Sequence, residues 1–462
     1  MSELIVKSKE KLADIETPVS AYLKLCKHIP DSFLLESVEK SEITGRYSII
    51  AYDPIFSMEL KPGEVITSYK DKEESFPQEK FFDVIRESLK NLKCTPLPHL
   101  PTIGSLMGFV GYDAVRLIEK LPQRHQLPST ISRLVFPSRF VIFDHLKRIM
   151  TFLSIASSSK DCDAKIKEME DSIMAPLVIK PKSAMVNVVS PPKERYCQSV
   201  EKGKEYIKAG DIFQVVLSDC FEGETDIDSF EVYRQLRLKS PSPYMFYLNF
   251  GKYQLVGSSP ETLVKVNDRI VTIMAIAGTR GRSDDANRDK ELEKELLACE
   301  KECAEHIMLV DLARNDVSRV AQYGSVTIDP YMSIVRYSHV MHIVSQVQGL
   351  LFDDKDAVDA IRAGFPAGTV SGAPKVRAME IIDELEFSNR GPYAGAVGYF
   401  GQNDQMDMCI AIRTLLFTEN TFKIQVGAGI VADSIPEMEY KEIQNKAAQS
   451  INALKTAASR DY

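Results

Sequence analysis

Two short segments carry carboxylates in pairs three residues apart: Glu302 and Glu305 in KECAEHIMLVDL, and Glu439 and Glu442 in PEMEYKEIQ. On a helix that spacing puts both members of a pair on one face. Two such faces meeting across a cleft would make an oxygen-rich site for Mg²⁺, a hard cation that takes carboxylates and keeps its waters. Two solvated helix faces would give the same spacing. Glycine segments narrow the choice: Gly278-Thr279 in AIAGTR, Gly368-Thr369 and Gly372 in PAGTVSGAPK, and Gly427-Ala428-Gly429 in VGAGIV. One such loop reads as a tight turn. Three of them bring bare N–H groups toward an anion, with the hydroxyls of Thr279 and Thr369 as added donors. Together with Arg413 in CIAIRT, a fork suited to a carboxylate, and Tyr393 in GPYAG, they point to a pocket for a small polyanion.

Three further groups could titrate. Glu261 follows Ser-Ser-Pro in GSSPETL, at a strand end where a half-buried carboxyl acquires a raised pKa. His339 and His342 stand in YSHVMHIVS, where a structural role is the commoner one. Cys299, Cys303 and His306 fall near one helical face, but a zinc site needs a fourth ligand and none lies nearby, so helix packing is the expectation there.

Elements that would position these residues follow from periodicity and punctuation. Phe82, Ile85 and Leu89 give helical spacing over 81–92, and residues 134–155 read as two strands around a turn at 144–147. Linkers at 157–161 and 180–192 enclose a helix over 164–175 and place the main boundary near residue 185, with region 1–185 before it and region 186–462 after it. The helix that follows should stop at Gly210, a suitable residue just past a helix end. Strands are expected at 213–217, 244–249, 254–257 and 270–275, then a long helix over 289–320, helices at 356–364 and 374–385, strands at 394–400, 408–417 and 421–426, and a last helix over 437–456. Short turns between neighbouring strands imply an antiparallel sheet with helices outside it.

Composition excludes several classes. The 462 residues include 57 Lys+Arg and 65 Asp+Glu, a formal charge of −8, which argues against nucleic acid or an anionic membrane as the main partner. No apolar run approaches the roughly 18 residues of a spanning helix, and MSELIVKSKEKLADIE lacks the apolar centre of a signal peptide. The eight cysteines are scattered without framework spacing. A cytosolic protein is expected.

Ten segments stand in the order and at the intervals of one enzyme group: 34–37 (LLES), 241–248, 257–263, 276–282, 304–316, 337–342, 365–382, 390–399, 410–414 and 426–442. Through them the chain resembles the large subunits of anthranilate synthases, in the chorismate-utilising enzyme family. The resemblance covers essentially the whole chain. It implies an α+β, two-lobed fold with antiparallel β-sheets packed face to face and helices outside, residues 1–185 forming a regulatory lobe and 186–462 the catalytic region. It also implies Mg²⁺-dependent removal of the 4-hydroxyl of chorismate, addition of ammonia at C2, and loss of pyruvate to give anthranilate, the first committed step of tryptophan biosynthesis.

Roles then fall on particular residues by resemblance. Glu305 and Glu442 match metal ligands, with Glu302 and Glu439 behind them; Glu261 matches the general acid; His342 matches the histidine of pyruvate elimination. Arg413, Tyr393, Gly427, Ala428 and Gly429 match the enolpyruvyl-carboxylate site, and Gly278, Thr279 and Thr369 match other substrate contacts. Glu36 and Ser37 with Pro243, Tyr244 and Met245 match a site for tryptophan as feedback inhibitor; ordinary strand packing is the alternative. Isochorismate-forming relatives carry a Lys base where this chain has Gln214, and aminodeoxychorismate synthases a Lys nucleophile where it has Ala277. Both substitutions favour direct ammonia attack at C2, and the anthranilate reading is preferred. The alternatives are an aminodeoxychorismate synthase component and a catalytically silent tryptophan-sensing paralogue. No Gly-x-Cys-x-Gly elbow is present, so glutamine use calls for a separate amidotransferase subunit in a hetero-oligomer.

Overall fold

The computed structural model describes residues 4–37, 45–70, 72–95, 97, 100, 102–177, 184–336 and 340–459. Fourteen strands position the candidate residues: β1 (Ser32–Glu36), β2 (Tyr47–Lys61), β3 (Leu106–Val110), β4 (Ser132–Asp144), β5 (Gln214–Thr225), β6 (Tyr244–Asn249), β7 (Tyr253–Ser259), β8 (Thr262–Asn267), β9 (Ile270–Gly281), β10 (Val340–Leu350), β11 (Ala396–Phe400), β12 (Met406–Ile410), β13 (Thr414–Thr418) and β14 (Thr421–Ile430). They join in one antiparallel ladder running β10-β9-β8-β12-β11-β3-β4-β2-β1-β6-β7-β13-β14-β5.

The ladder doubles back, and successive residues of a strand feed different cores, as the two-residue period of a strand requires. Phe33, Phe140 and Phe246 enter one core, which also takes Val264, Met408 and Ala396 from the other half of the ladder. Their neighbours Leu34, Val141 and Tyr247 enter a second core shared with helices. The architecture is therefore α+β, built on a large antiparallel sheet. One tight backbone approach is at Gly108, at φ +149°, where an added Cβ would lie 2.1 Å from the carbonyl oxygen of Arg133. No helix among the described residues is long and apolar enough to cross a membrane.

Three helices matter for the site: α1 (Glu300–Ser318), α2 (Lys375–Leu385) and α3 (Pro436–Ser459). Where periodicity was clear the elements fall close to expectation: the helices Phe81–Asn91 and Lys193–Ala209 form, the latter ending on Gly210 at φ +85°. Two expectations change. The helix expected over 289–320 is two helices, because Cys299 takes an extended backbone (φ −78°, ψ 103°) and α1 starts afresh behind it. No proline or glycine marks that break. The strand expected over 408–417 is also two, separated by Arg413 at φ +50°, a left-handed conformation that L-residues seldom adopt.

Beneath the site lies a buried ion pair. Arg390, only 3 % exposed, donates to both oxygens of Glu386 (2.7 and 2.9 Å) and to the carbonyls of Val370 and Val216 (2.6 and 2.8 Å). Glu386 in turn receives the Ser218 N–H and hydroxyl, each at 2.7 Å. Removing one partner strands the other's charge in the interior, which costs about 3–5 kcal/mol. Glu386→Gln should therefore lower unfolding free energy by about that amount in urea titrations; a loss below about 1 kcal/mol would contradict an anchoring role.

Candidate functional site

Glu261 stands in the short turn between β7 and β8. Ser259 fixes that turn by donating its hydroxyl to Ile410 O (2.6 Å), and the Ile410 N–H donates to Glu261 O (3.0 Å). The carboxyl accepts a hydrogen bond from Thr369 Oγ1 at 3.0 Å. Desolvation dominates its protonation, raising the pKa above the usual carboxylate range against the opposing pull of Thr369, Arg413 and Lys446.

Arg413, Tyr393 and the Gly427–Gly429 segment gather beside it. The left-handed turn at Arg413 lets its carbonyl accept from Ser258 N–H (3.3 Å), next to the strand end that carries Glu261. Tyr393 is buried, and a Cβ on Gly427 would sit 2.7 Å from its Oη and 2.9 Å from Leu217 O. Only a glycine leaves that approach open. A Cβ on Gly429 would come within 2.5 Å of Gln214 Nε2. Ala428 between them is fully buried in the second core, so it offers the cradle only its backbone.

Opposite, β9 bulges between Ala277 and Thr279, with Gly278 at φ +72°. His342 on β10 faces Thr279 and donates Nδ1–H to Gly278 O (3.0 Å), with Thr279 Oγ1 at 3.1 Å. That bond places the lone pair of the neutral ring on Nε2. Burial holds the imidazole below its ordinary pKa, so the neutral ring is favoured. His339 lies outside the described residues.

The four glutamates come together at the N-terminal ends of α1 and α3. Each carboxylate has a local partner: Arg280 donates to Glu302 (3.0 Å), Lys301 stands 3.9 Å from Glu305, Lys446 is 2.8 Å from Glu442, and Ser434 serves Glu439. Ionisation of Glu305 is opposed first by burial and then by Glu302, Glu439 and Glu442. Mutual repulsion across two helix ends is the chemistry of a divalent-cation site. The donor set thus fits a hard metal ion, although among the described residues no three such side chains already converge at ligating geometry. The Cys299–Cys303–His306 group serves packing: His306 Nε2 meets Ser345 Oγ at 2.7 Å and burial lowers the ring to about 4, while Cys303 bonds Leu297 O at 3.3 Å.

Two residues escaped sequence reasoning. Lys446, one helical turn beyond Glu442, also donates to Gly427 O (2.9 Å) and so links the acidic cluster to the cradle. Lys375 pairs with Asp316 at 2.6 Å, tying the segment after Thr369 to the end of α1. The i, i+4 spacing signalled only the first.

Glu36, Ser37, Pro243, Tyr244 and Met245 lie elsewhere, lining one cavity of about 140 Å³ with Thr102, Asp407 and Cys409. The Glu36 carboxylate is already committed to Arg237 (2.8 Å), Tyr233 (2.5 Å) and Ser48 (2.9 Å). Ser37 Oγ and Thr102 Oγ1 are buried without a partner among the described residues.

Comparison with known proteins gives the family. The chorismate binding enzyme family matches residues 31–452. This chain belongs to that family. It is an enzyme acting on chorismate. Among its relatives, anthranilate synthase component 1 of Acetivibrio thermocellus is 42 % identical over 98 % of this chain and 96 % of its own. That of Thermus thermophilus is 41 % identical over 97 % of each. The crystal structure of anthranilate synthase component I from Streptococcus pneumoniae TIGR4 superposes with a TM-score of 0.79 at 34 % identity, covering 95 % of this chain and 99 % of that one.

The Thr369 bond favours the ionised form of Glu261. Thr369→Val removes it, so the carboxyl should titrate at still higher pH than in the parent chain. Difference infrared spectra of the carboxyl band against pH would read the shift; a fall in pKa would contradict the assignment.

Proposed function

We propose that this chain is the chorismate-converting component of an anthranilate synthase, forming anthranilate and pyruvate from chorismate and ammonia at the head of tryptophan biosynthesis. The observation that carries the reading is a carboxyl whose pKa desolvation raises, Glu261, at the edge of a glycine cradle with an Arg and a Tyr. An acid poised in that way can give its proton to a departing hydroxyl near neutral pH. Arg413, Tyr393 and the Gly427–Gly429 segment hold the enolpyruvyl carboxylate, and Gly278, Thr279 and Thr369 border the ring. His342, neutral and with Nε2 as its basic atom, accepts the C2 proton as pyruvate leaves. Glu305 and Glu442 would hold Mg²⁺, with Glu302 and Glu439 behind them. When bound, the ion would neutralise the ring carboxylate and draw charge from the developing transition state.

Ala277 leaves no side-chain amine at the β9 bulge, which supports ammonia as nucleophile over a covalent lysine adduct. Ammonia would come from glutamine through a separate amidotransferase subunit in a hetero-oligomer, in line with relatives named as component 1. The cavity at Glu36, Ser37, Pro243, Tyr244 and Met245 is the tryptophan site in this reading, and residues 1–185 are the regulatory lobe. Its two unpaired hydroxyls offer hydrogen bonds that a ligand can take up. The compartment is the cytosol.

The deciding experiment supplies purified chain with chorismate, Mg²⁺ and ammonium at alkaline pH and follows anthranilate fluorescence, with EDTA as control. Metal-dependent anthranilate is expected; a non-fluorescent amino product would mean aminodeoxychorismate, and no turnover would mean a sensing paralogue. Glutamine should replace ammonium only when the partner subunit is added. Glu261→Gln keeps the side chain's shape but has no proton to give, so kcat should fall by about 10²–10⁴-fold. At fixed free ammonia the parent rate should fall as pH rises through the raised Glu261 pKa, because the acid form is then lost. A Gln variant with parental kcat would remove Glu261 from the chemistry.

Ser37→Arg fills the second cavity with a long charged side chain. Tryptophan should then inhibit at least tenfold more weakly while turnover persists; unchanged inhibition would sink that site assignment.

A further inference from the structure

Across the Arg237–Glu36 pair from the Ser37 cavity lies another, of about 470 Å³, that no step described above uses. That volume is in the range of small-molecule sites. Three parts of the chain close around it: the entry to the helix Pro18–Leu25, the turn that follows β4, and the helix Ser229–Lys239.

Its charges are unequal. Both acids on its wall are satisfied from within. Asp144 accepts from Arg46 (2.8 Å) and from the N–H groups of Leu146 and Lys147 (3.1 and 3.0 Å), and Glu16 accepts from Ser20 Oγ (2.7 Å) and Lys24. Three guanidiniums share the wall with them. Arg234 pairs with Glu231 at 2.5 Å, and Arg237 holds Glu36 through Nε and Nη2 at 2.8 and 3.1 Å. Arg148 stands in the exposed turn with no acidic partner among the described residues. One guanidinium is thus left over, and a fork of that kind pairs well with a carboxylate.

The rest of the wall is apolar. Pro18, Val19, Phe143, Ile149 and Leu238 line it, and the rings of Phe143 and His145 stand 18° from parallel with centroids 6.4 Å apart. Leu238 and three near neighbours of lining residues in the chain, Leu12, Ile15 and Leu146, are between 69 % and 82 % exposed. Four large apolar side chains at one rim are more than scattered surface residues, and such patches mark binding sites.

We infer that this cavity binds a small aromatic monocarboxylate, with the carboxylate on Arg148 and the ring on the apolar wall. The observations select the class. A phosphate or a dicarboxylate would bring a second charge close to Glu16 and Asp144, with one spare guanidinium to meet it. A neutral ring would leave Arg148 unpaired, and a carboxylate without a ring would leave Val19, Phe143 and Leu238 in water. Anthranilate belongs to the class, so the product of the reaction proposed above is one source of such a ligand and any other benzoic acid is the second. The inference itself stands whether or not that reaction is right.

Ligand-observed NMR titrations of the intact chain, without chorismate or metal, test it. Benzoate should bind with a Kd of about 1 mM or tighter, and benzamide, the same ring without the charge, at least tenfold more weakly. Arg148→Glu should weaken benzoate at least tenfold. Leu238→Glu, which puts an acid on the helix wall, should do the same, and it carries the comparison if the first variant fails to fold. Anthranilate tighter than benzoate would name the product as the ligand; equal or weaker binding would name another aromatic acid. Three results would each overturn the inference: benzoate that does not bind, benzamide that binds equally well, or benzoate affinity unchanged in both variants. The last would place benzoate elsewhere on the chain.

Discussion

The site depends on a charge pair buried beneath it. Arg390 and Glu386 bind each other and, through the carbonyls of Val216 and Val370 and the N–H of Ser218, fix the start of β5 and the turn after Thr369. Tyr393 stands three residues beyond Arg390, with its ring 5.5 Å from the guanidinium, and Gln425 on β14 reaches the same Ser218 hydroxyl at 2.9 Å. Thus the segments carrying Gln214, Thr369, Tyr393 and Gly427 all refer to one anchor. Buried pairs of this kind add little net stability, since desolvation offsets their attraction. Their geometry is demanding, however. Five donors in a fixed plane admit few arrangements of the partners around them.

A second constraint is repulsion. Four carboxylates at two helix ends oppose one another, and the chain meets this with Lys301 and Lys446 on the same two helices and Arg280 on β9. Lys446 matters most among these, because the same ammonium donates to Gly427 O. Whatever neutralises Glu442 more strongly than Lys446 does leaves this ammonium with Gly427 O as its remaining partner of the two. Acidic cluster and cradle are therefore not independent parts. They share a proton donor.

Much of this was legible in the sequence, for a stated reason. The paired glutamates follow helical spacing, and Glu261 and the glycine segments sit at element ends that punctuation marks, so local pattern alone brings them into view. The break at Arg413 was not legible, since a positive φ at an arginine is enforced by its surroundings and contradicts local preference. Nor was the break at Cys299, where no breaker residue stands. Nothing local marks Arg390 as buried, since charged side chains usually face solvent; contacts 20 and 174 residues away along the chain explain its burial. Long-range pairing is what one sequence cannot display.

The cavity at Ser37 and the Glu261 carboxyl share strands, and this bears on how one could govern the other. Tyr244 lines the cavity and stands opposite Ser259; Cys409 lines it and stands opposite Thr262. Those two partners flank the Ser259–Thr262 turn in which Glu261 sits. Tyr244 Oη further joins Thr262 Oγ1 (2.9 Å) to the Asp407 carboxylate (2.8 Å), so the wall of the cavity is also the brace of the turn. A ligand shifts an equilibrium only by its differential affinity for two arrangements, so its effect must pass through something both sites touch. Here that something is short: two adjacent strand pairs, with no domain boundary to cross. Tyr244 and Cys409 each stand one strand pair from the turn that carries the Thr369–Glu261 bond, and tightly packed strands transmit strain that they cannot absorb.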